Sequence, residues 1–447
     1  MPRELTIQLG DTVTFVNKSN RPIWPASNIH PDHSIYPEFD PKRPLEPGEE
    51  WSFTFTKEGR WRFHDHLNSL HEGVVTVGDG TATREGEDGR CDDAANKVAC
   101  WGERVEYALA GNNVEAAFNV VAELYEKEPQ LAGGCHGYAH LIGEKAYDLF
   151  SQGYDFELTP KTAYCGYGFF HGFMETLLHT TGDLAEARAF CAYVNEKLRY
   201  VSSGAASACN HGIGHGAVDG SDPRAWGDPY AMMKPGMDLC RALAKEDKPS
   251  YGSPLYLCIT GVYNALEILS MDDRYRLEAL REDPFAFCER EQVAYQEGCY
   301  TNMLPALLRL TNNDVMQSAR LVEAIPEEGD SYEIRSLVIL SLTHEYIRLH
   351  MNDANYTEEG IALCRQLADR SHLPCIRGLS GGHMKYGKPG EEYVKMIAFC
   401  TTPTMRPDER DACFEYVFPL LRLWYPQGKV EEICTRVELP YRSYCPR

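Results

Sequence analysis

No run of apolar residues in the chain approaches the roughly 18–20 that a bilayer-crossing helix needs, and the mean hydropathy is −0.41. No transmembrane segment is expected. Positive charge is scarce too: 44 Lys and Arg stand against 66 Asp and Glu, a net charge of −22. Such a surface repels phosphate backbones, so nucleic acid is not an expected partner. The sequence also has no glycine-rich phosphate loop, no H-E-x-x-H and no C-x-x-C-H, and no nucleophile elbow of the G-x-S-x-G kind is expected, so common hydrolase, kinase and haem readings lose their support. The opening MPRELTIQLGDTVTF lacks the basic, apolar and small-residue regions of a secretory signal, so the numbered chain is expected to be a processed or truncated form. Cysteine is missing from the first 90 residues and plentiful afterwards.

What is present fits a globular protein. With roughly 100–200 residues per domain, 447 residues make two to four domains. Hydrophobic residues at 43% and charged residues at 25% can build a buried core. The sixteen cysteines read as neighbours: Cys91/Cys100, Cys135/Cys165, Cys191/Cys209, Cys240/Cys258, Cys288/Cys299, Cys364/Cys375, Cys400/Cys413 and Cys434/Cys445. In an oxidising compartment each pair closes a short loop, worth roughly 2–4 kcal/mol per bridge. The expectation is an exported protein, secreted, periplasmic or at the cell surface; the alternative is a reduced cytosolic chain with buried thiols.

The texture changes along the chain. Residues 1–78 hold short segments rich in Thr, Val, Phe and Trp (Leu5 to Leu9, Asp11 to Val16, Trp51 to Thr56, Trp61 to His64, Gly73 to Val77), separated by Gly, Pro and Asn turns. They predict a small antiparallel β unit. Residues 79–90, within GDGTATREGEDG and its flank, read as a linker. From residue 91 to 447 the periodicity is helical, as in Asn113 to Tyr125, Asp183 to Leu198, Val315 to Ala324 and Ser331 to Leu349. Helix, cysteine, short loop, cysteine, helix recurs, with one hairpin between Cys299 and Cys364 lacking its bridge. This predicts an all-α array of helical hairpins, either an open solenoid or a closed toroid, stapled by disulfides. The pattern resembles the cysteine-rich Sel1-like repeats of secreted proteins.

Residues 5–77 carry LTIQLGDTVTFVN, LEPGEEWSFTFTKEGRWRFHDH and EGVVTV, and resemble the cupredoxin family. Pro47 and Gly48 match the family's Pro-Gly loop, and Gly59, Trp61 and Phe63 match the approach to its copper site; Asp65 stands where the family has its cysteine. The resemblance implies a β-sandwich whose ligand loop lies between the last two strands. Blue copper needs a thiolate, which this unit lacks. What it has is a dense set of histidines: His30 and His33 in NIHPDHSIYPEFD, and His64, His66 and His71 in FHDHLNSLH. Residues two apart in a strand share a face, so His64 and His66 can point together. Imidazoles suit copper and zinc. The FHDH run resembles the thiolate-free copper-binding segments of multicopper oxidase domains, which favours a type 2 copper site, with zinc as the alternative. Which four of the five histidines bind is left open.

A second constellation repeats after the cysteines: CHGYAHLIGE, CGYGFFHGFME and CNHGIGHGAVD. Each pairs a histidine with an acid four residues on, as His140/Glu144, His171/Glu175 and His215/Asp219, and two add an earlier histidine, His136 and His211. Spacing of four puts both side chains on one helical face. Equivalent positions on consecutive hairpins line one wall, so these residues form a second candidate metal or acid/base site; the competing reading is tight helix contact at the neighbouring glycines, Gly137, Gly172, Gly212, Gly214 and Gly216, with inter-hairpin hydrogen bonding at a repeat position. The function expected is an exported copper-binding protein whose helical repeats offer a surface to a protein or cell-envelope partner. The alternative is a copper-dependent oxidoreductase with its second site among the repeat histidines.

Overall fold

The computed structural model describes residues 4–28, 33, 36–78, 91, 97–109, 113–128, 131, 134–154, 156–218, 220–243, 252–326 and 334–446. The expected linker, 79–90, lies outside them.

Among the described residues, six strands make up the N-terminal unit: β1 (Glu4–Ile7), β2 (Thr12–Val16), β3 (Pro25–Ser27), β4 (Glu50–Thr54), β5 (Gly59–Asp65) and β6 (Asn68–Val77). One sheet has the order β1-β6-β5-β3, and β2 pairs with β4 in a second. The expectation of an antiparallel unit is corrected in one place: β1 runs parallel to β6, with Leu5 opposite Val75, so the larger sheet is mixed. The register of β2 and β4 sets Phe15 opposite Trp51 and Val13 opposite Phe53. Gly48 (φ +90) makes the turn into β4 that a side chain would resist. Between the sheets, Phe15 meets Phe63 edge-on at 5.1 Å between ring centroids, Phe39 stacks on Phe53 at 5.1 Å, and Tyr36 meets Trp61 at 4.7 Å. Such pairs add roughly 0.5–1.5 kcal/mol each beyond their buried area.

The remainder is helical. Cys135–Ser151, Tyr164–Thr181, Ala205–Gly216, Pro254–Ser270, Val293–Asn302, Ile334–His350 and Asp369–Tyr386 pack each against the next, and the last of them returns to Tyr164–Thr181. The Tyr125 hydroxyl donates to the Tyr386 carbonyl at 2.5 Å, and the Ser202 hydroxyl to the Leu423 carbonyl at 2.9 Å, tying early helices to late ones. Flanking helices lie against this succession.

All sixteen cysteines are bridged, each to its neighbour in sequence: Cys91–Cys100, Cys135–Cys165, Cys191–Cys209, Cys240–Cys258, Cys288–Cys299, Cys364–Cys375, Cys400–Cys413 and Cys434–Cys445. Their placement corrects the expected pattern of cysteines flanking the loop between two helices. Cys100 lies within Lys97–Leu109, Cys258 within Pro254–Ser270, Cys375 within Asp369–Tyr386 and Cys413 within Pro407–Trp424, about one to two turns past the helix start. Cys445 differs again, following the short turn Tyr441–Tyr444. The reason is geometric: a bridge needs Cα atoms about 4.4–6.8 Å apart, and two packed helices approach that closely along their facing sides. Cys240 and Cys258, 5.5 Å apart at Cα, join Pro229–Leu243 to Pro254–Ser270 in this way, as Cys191–Cys209 clamps Leu184–Leu198 onto Ala205–Gly216. Eight disulfides suggest an oxidising environment. Among the described residues no helix is long and apolar enough to cross a membrane.

Glycine sets the closest helix contacts. A methyl group on Gly143 would lie 2.0 Å from the Phe169 carbonyl oxygen, and one on Gly172 would lie 2.1 Å from that of His140. Neither position can carry a larger residue without separating the two helices. Their neighbours on the same helices are histidines and glutamates.

Candidate metal centres

In the β unit three imidazoles converge. His33, His64 and His66 are all buried, with ligand-capable nitrogens within 4.8 Å of one another. His64 sits in β5 opposite Ala26 of β3, and an irregularity between His64 and Asp65 turns the chain so that His66, just past the strand, reaches the same place. His33 arrives from the loop after β3 with φ +53, a left-handed conformation unusual for a residue with a side chain. Its Nδ1 donates to Asp40 Oδ2 at 2.6 Å, and its Nε2 lies 3.0 Å from His66 Nδ1. His64 Nδ1 donates to Asn28 Oδ1 at 3.0 Å. A carboxylate behind a ligating histidine is the usual means of fixing its tautomer and orientation.

Asp40 is the hub behind the site. Burial alone would raise its pKa, but the bond from His33, the charge of Arg274 and the indole N–H of Trp24 outweigh that and hold the carboxyl well below its ordinary range. Arg274 comes from the helical unit, 234 residues away, and stacks its guanidinium 3.7 Å from the Trp24 ring centroid. Trp24 in turn lies 4.5 Å from the ring of His66. Further links join the units, among them Arg62 with Glu106 and Lys145 with Glu72.

His71 stands apart from these three. It is exposed, with Nδ1 3.0 Å from the Arg21 guanidinium and 4.0 Å from Asp65. His30 lies outside the described residues.

The second centre is larger. His136, His140 and Glu144 lie on Cys135–Ser151, His171 and Glu175 on Tyr164–Thr181, and His211 and His215 on Ala205–Gly216. The glycine contacts hold the three helices so close that their rings interlock: centroids are 4.9 Å apart for His136 and His171, 5.6 Å for His140 and His215, and 4.8 Å for His171 and His211. His140, Glu144, His171, Glu175 and His215 are buried; His136 and His211 are half-buried. Nδ1 of His140 is 3.7 Å from Glu144 and 3.8 Å from Glu175, and Nδ1 of His215 is 3.6 Å from Glu175. These are too long for hydrogen bonds. Both ring nitrogens of His215, with His140 Nδ1 and Glu144 Oε1, have no hydrogen-bond partner among the described residues. Burial, reinforced by neighbouring imidazoles, pushes His136 and His215 down to about 3, and burial pushes His211 down to about 4. These rings are therefore neutral at pH 7, the form that binds metal. Asp219 lies outside the described residues.

Sulfur takes no part in either group. Cys100, Cys258, Cys375, Cys413 and Cys445, like the other eleven cysteines, are held in disulfides, so no thiolate is left to act as a ligand.

The backbone beside the helical centre is unusual. Cys165, Gly166 and Tyr167 all have positive φ (57, 68 and 64), and the Cys165 carbonyl accepts the Nδ1 proton of His136 at 2.9 Å. The sequence 378–382 matches G-x-S-x-G, but it lies within Asp369–Tyr386, where Ser380 donates to the Arg377 carbonyl. A helix interior is not a nucleophile elbow. His383 is also buried, among Tyr356 and Phe399, away from either group.

No family model, no curated protein and no solved structure matches the chain. The likeness to cupredoxins and to Sel1-like repeats therefore rests on the residues quoted for it.

Proposed function

We propose that this is an exported copper-binding protein with two histidine centres. The first is a thiolate-free copper site held by His33, His64 and His66 on a cupredoxin-like β unit. The second is the set of five imidazoles and two carboxylates among the helices. The outer faces of the helical hairpins then serve as a surface for a protein or cell-envelope partner. One observation carries the reading: imidazoles from separate elements bring ligand-capable nitrogens within 4.8 Å of one another, backed in the β unit by the Asp40 carboxylate. No cysteine lies in the β unit, so its donors favour a type 2 copper centre over a blue one, with zinc the competing ion.

A second reading, a copper-dependent oxidoreductase working at the helical centre, is favoured by a cavity of about 240 Å³ lined in part by Gly166, Tyr167, His344, Lys385 and Trp424. Gly166 separates it from the centre: a methyl group there would sit 3.7 Å from His136 Nδ1. Metal analysis with electron paramagnetic resonance of the copper-loaded chain tests both. His64→Ala with His66→Ala removes the β-unit copper and leaves the helical circular dichroism unchanged; full copper content in that variant refutes the first centre. A copper spectrum that azide perturbs favours the oxidoreductase, and an inert one favours the binding protein.

A further inference from the structure

The helical centre has more donors than one ion can use. A copper or zinc ion takes four or five ligands at about 2.0–2.1 Å, so two donors on the same ion are roughly 3.0–4.2 Å apart. Seven side chains meet here, and they divide into two groups. In one, His136, His140 and His171 offer nitrogens within 4.8 Å of one another; in the other, a nitrogen each of His140 and His215 and a carboxylate oxygen of Glu175 lie within the same distance. His140 alone belongs to both. Its Nδ1 faces the carboxylates, at 3.7 Å from Glu144 and 3.8 Å from Glu175, and Glu175 reaches on to His215 Nδ1 at 3.6 Å. That leaves Nε2 of His140 for the other group, where His136 Nε2 and His171 Nδ1 are 3.2 Å apart. These separations all fall in the range for donors on a common ion. His211, its ring 4.8 Å from that of His171, is engaged elsewhere, by the Thr260 hydroxyl at its Nδ1 (2.9 Å) and by the Asn264 side chain, and is not counted among the donors.

We infer that the helical centre binds two metal ions, one held by His136, His140 and His171, the other by His140, Glu144, Glu175 and His215, with the His140 ring between them. The inference rests on the proposal that the helical centre is a metal site, and takes it further. The first ion then has three protein ligands and the second four, and three buried atoms that have no hydrogen-bond partner among the described residues, Nδ1 of His215, Nδ1 of His140 and Oε1 of Glu144, fall to the second ion. For His140 to serve both ions through its two nitrogens, its ring proton leaves to solvent when the second ion binds, and no electron is transferred. Glycine at 143 and 172 is what lets the first two helices come close enough to share the pair.

The test uses the full chain carrying His64→Ala and His66→Ala, so that the β-unit site does not contribute. It is loaded with copper(II), desalted, and its copper counted by mass spectrometry against protein. Two coppers per chain are expected. Because one imidazole joins them, the spins couple, and the double-integrated resonance signal accounts for much less than the copper present. Adding His215→Ala or His215→Gln is expected to leave one copper with its full signal. One copper per chain in the parent overturns the two-ion centre and leaves the metal site; two coppers with undiminished signal overturn the bridging role of His140. No copper at all refutes the helical metal site itself. The parent count decides the matter even if a His215 variant does not fold.

Discussion

Arg274 Nη2 lies 3.3 Å from Oδ2 of Asp40, the same oxygen that accepts the Nδ1 proton of His33 at 2.6 Å. A residue of the helical unit thus completes the polar shell behind a candidate ligand of the β unit. Losing such an outer partner typically weakens metal affinity by about 10–100-fold. Arg274→Ala is expected to weaken copper binding at the β-unit site by that factor while the helical centre keeps its metal. Competition titration of copper in Arg274→Ala measures this. Unchanged affinity at the β unit removes Asp40 and Arg274 from the account.

The helical centre depends on close helix approach. Gly172→Ala places a methyl group 2.1 Å from the His140 carbonyl oxygen, which the backbones meet only by moving apart. The expected outcome is lower metal content at the helical centre with the β-unit copper retained, read by metal analysis on the purified variant. Full metal content would show that the donors do not need this spacing.

Acid should destabilise the fold through histidines outside both centres. Burial pushes His344 and His383 down to about 3, and neither nitrogen of His383 has a hydrogen-bond partner among the described residues. Above pH 6.5 these rings are neutral in both folded and unfolded chains. Below it the unfolded chain takes up protons that the folded chain refuses, so stability falls toward pH 3 by about 1.4 kcal/mol per pH unit for each group. His383→Phe, packed between Tyr356 and Phe399, should remove one such share. Denaturant unfolding at pH 7 and pH 5 measures the difference, and an identical loss in variant and parent would contradict it.

Much of this was legible in the sequence. Neighbouring cysteines at short separations pair because short loops bring them together first. Where Cys258, Cys375 and Cys413 fall within their helices was not legible, because it depends on which helix sides face each other. The four-residue steps from His136 to His140 to Glu144, and from His171 to Glu175, put those side chains on one face of each helix. The glycines beside the histidines pointed to tight helix contacts, and Gly172, Gly212, Gly214 and Gly216 make them, whereas Gly137 has open space; which residues lie opposite each glycine was not legible. Asp40 and Arg274 were missed since their contact joins residues 234 apart. The strand β3 was missed because it spans three residues and begins with proline. The parallel pairing of β1 with β6 depends on chain reversal over more than sixty residues, which no local pattern encodes.

The most direct test is a crystal of the copper-soaked chain with anomalous difference maps recorded on both sides of the copper absorption edge. A copper peak bounded by His33, His64 and His66, together with peaks among His136, His140, His171, Glu175 and His215, is the predicted result. Maps without copper at either place would contradict the account.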